Sequence, residues 1–178
     1  EVQTPLALST LHLKGVGRVS DGPNEGSELP FEVTLTFRAA GPAHGMAARK
    51  VKGKDGETYM AGRYEQPCDV SGHVSLGGQV SPIEGRGERD HSWGPRHWAM
   101  QWLFLVLEGE HLRAQCTEVL IGGAMRICVG YVQDEAMHAV SDTRFELEFA
   151  DESNVHVPFQ GSVSVRYEEG SLAGRLVC

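Results

Sequence analysis

The chain has 178 residues, the size of one large domain or of two small domains that share an interface, and it can bury a core without a disulfide or a metal. Its 16 Lys and Arg residues against 24 Asp and Glu residues give a formal net charge of −8, which argues against a nucleic-acid partner held by phosphate contacts. No apolar run reaches the roughly 18 residues of a membrane-spanning helix, and residues 1–20 lack the pattern of a signal peptide. We therefore expect a folded domain without a transmembrane segment, which begins inside a longer protein.

The four cysteines, Cys68, Cys116, Cys128 and Cys178, show no CxxC pairing. Reduced, mostly buried thiols are the default for such cysteines, and they favour a cytoplasmic location. Cys116 and Cys128 flank a predicted turn at Gly122-Gly123. A two-residue turn would place these thiols on opposite faces of the hairpin and a three-residue turn would place them opposite each other, and the sequence leaves both open.

Apolar and polar residues alternate with a period of two along most of the chain, which is rich in glycine and almost without helical periodicity. Turn signals at Asp55-Gly56, Gly77-Gly78 and Gly122-Gly123 separate the predicted strands. The segment 98–107 is apolar on both faces and is therefore predicted as a central strand. In chain order the predicted strands lie at 11–19, 31–37, 49–54, 58–65, 70–76, 98–107, 111–120, 125–132, 145–149, 155–159 and 163–167.

This pattern predicts a single all-β domain over residues 1–178. We expect about ten antiparallel strands, which form a lipocalin-like β-barrel or a strongly bent sandwich.

The segment Gly85–Trp98 concentrates the chemically useful side chains, since proton-transfer groups stand beside large aromatic rings around a Gly-Pro break. Such a mixture is typical of a pocket that recognises a polar end and an apolar body together. Asp90 and His91 are the candidate acids or bases, because burial or a charged neighbour can move such groups toward neutral pKa values. The candidate ligand contacts are Arg89, Trp93, Arg96, His97, Trp98 and Trp102, with Tyr64 and His73 as secondary candidates.

A purely structural interpretation of the same residues stays open. Asp90 could form a buried ion-pair corner with Arg89 or Arg96, covered by tryptophans. The stripe of Trp98, Met100, Trp102, Phe104 and Val106 on one strand face could be ordinary core. In either interpretation we expect Asp90 to be largely buried and to accept a hydrogen bond from an arginine, because an isolated buried charge is too costly.

Neither a metal nor a cofactor is predicted. His73, Asp90, His91 and His97 offer suitable ligand types, but their spacing fixes no coordination geometry. Ser92 does not lie in a nucleophile elbow, and Gly85-Arg86-Gly87 lacks the remainder of a dinucleotide fingerprint.

The string Gly-Arg-Gly-Glu-Arg-Asp-His-Ser-Trp-Gly-Pro-Arg at 85–96 resembles the most distinctive motif of the AttH-like, lipocalin-like superfamily. That superfamily includes the hydroxyneurosporene synthases, carotenoid hydratases that add water to an isoprenoid double bond, and many of its bacterial members have no assigned activity. The similarity covers about residues 60–135 and includes Tyr64-Glu65-Gln66 and the strand at 70–76.

The resemblance implies that this chain is the motif-bearing, C-terminal half of a protein with two lipocalin-like domains. It also implies an acid and pocket role for Asp90, His91 and Trp93, although the chain has Ser92 where the hydratases have an amide.

Three functions follow as hypotheses. The first is a hydro-lyase or isomerase that protonates a carbon–carbon double bond of an isoprenoid-, steroid- or lipid-like substrate. The second is a non-catalytic lipocalin-like carrier of a hydrophobic small molecule, and the third is an interaction domain. We expect a mainly apolar cavity bordered by residues 89–104 for the first two.

Overall fold

The computed structural model describes residues 2–4, 6–46, 51–52, 58–59, 62–94, 100–121, 123, 125–149 and 158–177. These residues form antiparallel β-strands and include no helix, so the prediction of an antiparallel all-β fold is confirmed. The strands are β1 (Val2–Thr4), β2 (Leu8–Arg18), β3 (Glu28–Ala39), β4 (His44–Met46), β5 (Val51–Lys52), β6 (Thr58–Tyr59), β7 (Gly62–Leu76), β8 (Gln79–Trp93), β9 (Met100–Glu108), β10 (Arg113–Ile121), β11 (Met125–Gln133), β12 (Met137–Phe149), β13 (Pro158–Tyr167) and β14 (Gly170–Val177).

Ten of these strands have eight or more residues, in agreement with the predicted number. One of the sheets is curled into a half-barrel, as a lipocalin-like barrel or strongly bent sandwich requires. Within the described ranges, no helix is long and apolar enough to cross a membrane.

The chain divides into two compact units, of which the first comprises Glu1–Ala43 and Gln66–Arg89. Here β1, β2, β3 and the later part of β7 are neighbours in one antiparallel sheet, and β8 pairs with β7. Leu11 lies opposite Leu35 and Leu13 opposite Val33, so the apolar residues of β2 and β3 share one face. The β7–β8 hairpin turns at Gly77-Gly78 as predicted, and positive φ values of 56° and 88° suit the tight primed turn that hairpins favour.

The second unit comprises His44–Glu65 and Asp90–Cys178. Its main sheet has the strand order β14-β13-β12-β11-β10-β9, with antiparallel pairs. Separately, β4 pairs with the first residues of β7 and places His44 opposite Glu65. The buried apolar core of the main sheet consists of Ala114, Cys116, Val132, Val140, Val163 and Val165.

Two strand predictions are wrong in their details. The apolar strand predicted at 98–107 corresponds to β9, which stands at the end of the sheet order formed by the described strands and not at its centre. It is apolar on both faces because Leu105 and Leu107 pack on the core while the other face carries Trp102 and Phe104. The predicted strand at 163–167 is part of the longer β13, and neither β8 nor β14 was predicted, because their small and polar residues give weak alternation.

The β10–β11 hairpin resolves the open question about Cys116 and Cys128. Ile121 pairs with Met125, which is the register of a three-residue connection. However, Cys116 then lies opposite Gly130, and Cys128 lies opposite Glu118. The two thiols share a face but stand two positions apart, so the prediction that this turn would place them directly opposite each other is wrong.

Candidate functional site

Arg89, the first charged residue of the predicted site, belongs to a hydrogen-bond network inside the first unit. Its Nη1 donates to Gln66 Oε1 at 3.0 Å and its Nη2 donates to Ser9 Oγ at 2.7 Å. Gln66 Nε2 in turn donates to the carbonyl oxygens of Leu6 at 2.8 Å and Gly41 at 3.0 Å. Arg89 therefore ties three parts of that unit together, which is a structural role. His73, also in this unit, is exposed.

Asp90, the predicted proton-transfer residue, is more accessible than expected. Its side chain is 43% exposed, and its Oδ2 lies 3.6 Å from Arg63 Nη2. The prediction that Asp90 is largely buried is wrong, and the guanidinium beside it is that of Arg63, since Arg89 bonds to Gln66 and Ser9. The other predicted partner, Arg96, lies outside the described residues together with His97 and Trp98.

Arg63 is the centre of a group that we call the Arg63 cluster: Arg63, Glu65, Asp90, Phe104 and Thr117. The Arg63 side chain is only 15% exposed and forms an ion pair with the almost fully buried Glu65. Its Nη2 donates to Thr117 Oγ1 at 3.2 Å, and its guanidinium carbon lies 6.0 Å from the centroid of the Phe104 ring. Within the described part of the chain, Arg63 Nε is buried and has no hydrogen-bond partner. The Nε–H donor of the guanidinium is therefore unsatisfied by the described residues.

A buried amide lies next to the Arg63 cluster. Gln115 Nε2 donates to Thr117 Oγ1 at 2.6 Å, and both residues are fully buried. Gln115 Oε1 has no hydrogen-bond partner among the residues that the structure describes. This strand position is constrained by close backbone packing, because a Cβ at Gly130 would stand 1.9 Å from the Gln115 carbonyl oxygen, and Gly130 has φ of 144°.

Three of the predicted residues form an aromatic stack in the second unit. The ring of His91 lies 5.6 Å from that of Tyr64 and 5.3 Å from that of Trp93, measured between centroids. Trp93 also covers Gly62, where a Cβ would come within 2.4 Å of the indole ring. Because strand residues alternate between faces, Tyr64 points away from the side on which Arg63 and Glu65 lie. The sequence therefore singled out all three residues of this stack, but not Arg63 on the other face.

In its described part, the predicted apolar stripe includes two residues that are half-exposed and therefore not core. Trp102 and Phe104 are each 48% exposed. Phe104 is opposite Thr117 and Trp102 is opposite Val119, so these residues share the face that carries the Arg63 cluster. A half-exposed Trp and Phe beside a buried guanidinium offer an apolar surface that leads to a polar group.

A cavity of about 250 Å³ lies beside Arg63 and Glu65. Burial lowers the pKa of His44, which lines this cavity, so its imidazole is neutral at neutral pH. Burial also raises the pKa of the Cys128 thiol, another lining group, which disfavours its thiolate form. The remaining lining residues are Gly45, Val129, Gly130 and Val140.

This cavity is not the predicted one, since its mixed lining comes from β4, β7, β11 and β12. The mainly apolar cavity bordered by residues 89–104 stays a prediction, because residues 95–99 lie outside the described residues. Arg63 connects it to the predicted residues, since it lines the cavity and also contacts Asp90 and Phe104. Among the described side chains, no group of three or more His, Cys, Asp or Glu residues is placed to hold a metal ion.

Sequence reasoning missed Arg63, Gln115, Thr117 and His44. Glu65 belongs to the string Tyr64-Glu65-Gln66 that carries part of the family resemblance, and Arg63 directly precedes that string. Gln115 and Thr117 carried a signal of their own, because polar residues at alternate positions of an otherwise apolar strand suggest a buried polar face.

Residues 1–174 match the model of a protein family described as Domain of unknown function (DUF7064). No curated protein and no solved structure matches the chain.

Proposed function

The chain belongs to the DUF7064 family, and we propose that it binds a hydrophobic small molecule with one polar end at the Arg63 cluster. The observation that carries this proposal is the state of Arg63, a nearly buried guanidinium with an unpartnered Nε among the described residues. Buried polar groups are normally hydrogen-bonded, so a buried donor without a partner beside a cavity is best explained by a ligand or an ordered water.

The polar end of such a ligand would enter the cavity beside Arg63 and Glu65. Its apolar body would lie on Phe104 and Trp102, because these half-exposed rings share the face of the cluster. Ligand sites commonly combine apolar walls with a few fixed polar groups in this way. An isoprenoid-, steroid- or lipid-like molecule has the required shape.

A non-catalytic carrier needs nothing beyond these features. Acid catalysis on a carbon–carbon double bond is the second candidate, and the resemblance of residues 85–96 to the AttH-like, lipocalin-like superfamily favours it. The same resemblance supports a second lipocalin-like domain as partner in the longer protein. For catalysis, Asp90 or His91 would donate the proton, while the aromatic rings would stabilise the developing positive charge. Binding is the better supported function, because a proton donor at Asp90 would first have to leave its ion pair with Arg63.

Tryptophan fluorescence titrated with isoprenoids, sterols and fatty alcohols tests the binding proposal. We expect saturable quenching that Phe104→Ala weakens by about tenfold, a loss of about 1.4 kcal/mol. Leu13→Ala is the matched control, because Leu13 is a half-exposed apolar residue of the first unit, outside the proposed site. Absence of quenching by every compound, or equal weakening by both substitutions, would refute the proposal.

Asp90→Asn separates the carrier from the enzyme. The amide keeps the shape of the side chain but cannot act as a carboxylic acid. A catalytic Asp90 predicts that turnover of a retained ligand is lost while binding remains, and a carrier shows no turnover in either protein. Product analysis by mass spectrometry after incubation with the bound compound gives the readout.

A further inference from the structure

The charges around the cavity favour a neutral ligand group over an anionic one. Among the described residues that line the cavity, Arg63 carries the positive charge, and it faces the carboxylates of Glu65 and Asp90. His44 and Cys128 add no charge at neutral pH, since burial lowers the pKa of the imidazole and raises that of the thiol. A ligand carboxylate would therefore add a third negative charge near one guanidinium, which is unfavourable at short range.

The hydrogen-bonding groups at the same place favour a group that both donates and accepts. Arg63 Nε is a donor with no partner in the described structure, while the Glu65 carboxylate, which also lines the cavity, has several acceptor positions. Gln115 is joined to Arg63 through Thr117, and its Oε1 is an acceptor without a partner among the described residues. A hydroxyl can use a donor and an acceptor together, whereas an ether or ketone accepts only and a hydrocarbon does neither.

We propose that the polar end of the ligand is a neutral hydroxyl group, as in a long-chain or polycyclic alcohol, which accepts from Arg63 Nε and donates to a neighbouring carboxylate or amide oxygen. This inference rests on the proposed binding function, and it names the ligand class that the site prefers. The hydroxyl would satisfy polar atoms that a hydrocarbon leaves unpaired, and a site built in this way discriminates strongly against analogues that lack the group.

A series of probes with the same chain length tests the inference on the unmodified protein. The probes are 1-decanol, decyl methyl ether, decane and decanoic acid, measured at pH 7.5 by tryptophan fluorescence and by native mass spectrometry. We expect 1-decanol to bind at least about tenfold more tightly than each of the other three. Equal binding of all four, or tightest binding of the acid, would overturn the inference and leave the binding function standing. No binding of any probe would overturn both.

Two variants test which side chains cause the expected preference for the alcohol. Arg63→Lys keeps the positive charge beside Glu65 but removes Nε–H, and Gln115→Met removes the amide in a side chain of similar length. We expect each variant to lower 1-decanol affinity toward that of the ether while leaving decane binding unchanged. Thermal unfolding of each variant verifies that it is folded. If Arg63→Lys does not fold, the probe series on the parent protein decides whether the site prefers the alcohol. If folded Arg63→Lys still prefers 1-decanol as strongly as the parent protein does, Arg63 Nε is not the donor to the hydroxyl group.

Discussion

Two buried glutamines, one in each compact unit, show how the units differ. In the first unit, Gln66 uses both amide hydrogens on the carbonyls of Leu6 and Gly41, and its oxygen accepts from Arg89. In the second unit, Gln115 donates to Thr117, but its oxygen has no partner among the described residues. A satisfied network stabilises the fold, whereas a buried polar atom without a protein partner requires another partner, such as an ordered water or a ligand.

Arg89 in the first unit and Arg63 in the second differ in the same way as the two glutamines. Arg89 has neutral partners, Gln66 and Ser9, at ordinary hydrogen-bond distances. Arg63 has charged partners, an aromatic neighbour and a cavity, with Nε unpartnered in the described part of the chain. Adjacent residues of one motif therefore differ in role, since Arg89 supports the first unit and Asp90 belongs to the Arg63 cluster in the second.

The largest expected effect comes from removing the charge of Arg63. Arg63→Met leaves Glu65 as a nearly buried carboxylate without its guanidinium, and breaking a buried pair in this way costs about 3–5 kcal/mol of unfolding free energy. Urea unfolding followed by circular dichroism measures the loss. The double variant Arg63→Met/Glu65→Gln should recover most of it, because no uncompensated charge remains.

Arg144→Met is the control for the loss of an arginine as such. Arg144 pairs with Glu146 on the surface, and both side chains are mostly exposed. Such pairs contribute about 0–1 kcal/mol, so this variant should unfold almost like the parent protein. Similar losses for Arg63→Met and Arg144→Met would show that the Arg63–Glu65 pair is not buried in solution.

The next largest effect on the free energy of unfolding comes from replacing the two buried glutamines, which tests the comparison between them directly. Gln66→Leu leaves two backbone carbonyls and one guanidinium hydrogen without their partner, so it should cost at least about 2 kcal/mol. Gln115→Leu removes one hydrogen bond together with an oxygen that has no partner in the described structure, and should cost about 1 kcal/mol or less. Equal losses in urea unfolding would remove the distinction between a structural network and a site.

Much of the fold could be predicted from the strand pattern. The alternation in β3 and the turn residues at Gly77-Gly78 and Gly122-Gly123 were sufficient to predict a strand and two hairpins, because strand periodicity and turn chemistry are local properties of the sequence. The position of β9 at the end of the sheet order was not predictable in this way, since both of its faces are apolar for different reasons. Which strand is central depends on pairing between distant segments.

The site was predictable only in its exposed part. Asp90, His91 and Trp93 stand together in the sequence, and they do lie near Arg63 and Tyr64. Thr117 and Gln115 reach the same cluster from β10, and no local pattern links them to the motif. The expectation that Asp90 is buried was wrong. Its ion-pair partner, Arg63, lies on another strand and is itself nearly buried, while the Asp90 carboxylate remains at the surface.

The smallest effect concerns the pH dependence of stability through His44. Burial lowers its pKa in the folded protein, so the unfolded chain binds a proton more readily than the native state does. Stability should therefore be unaffected by this group above its ordinary value of 6.5 and should fall as the pH drops from there toward the lower folded pKa. His44→Gln should flatten that part of the profile when urea unfolding is measured between pH 7.5 and pH 5, about the range in which histidines titrate. His12→Gln is the control, because His12 is exposed and its removal leaves the buried imidazole in place. An unchanged acid limb in His44→Gln would mean that the imidazole is hydrated in the native protein, and the cavity beside Arg63 would then carry a positive charge at mildly acid pH.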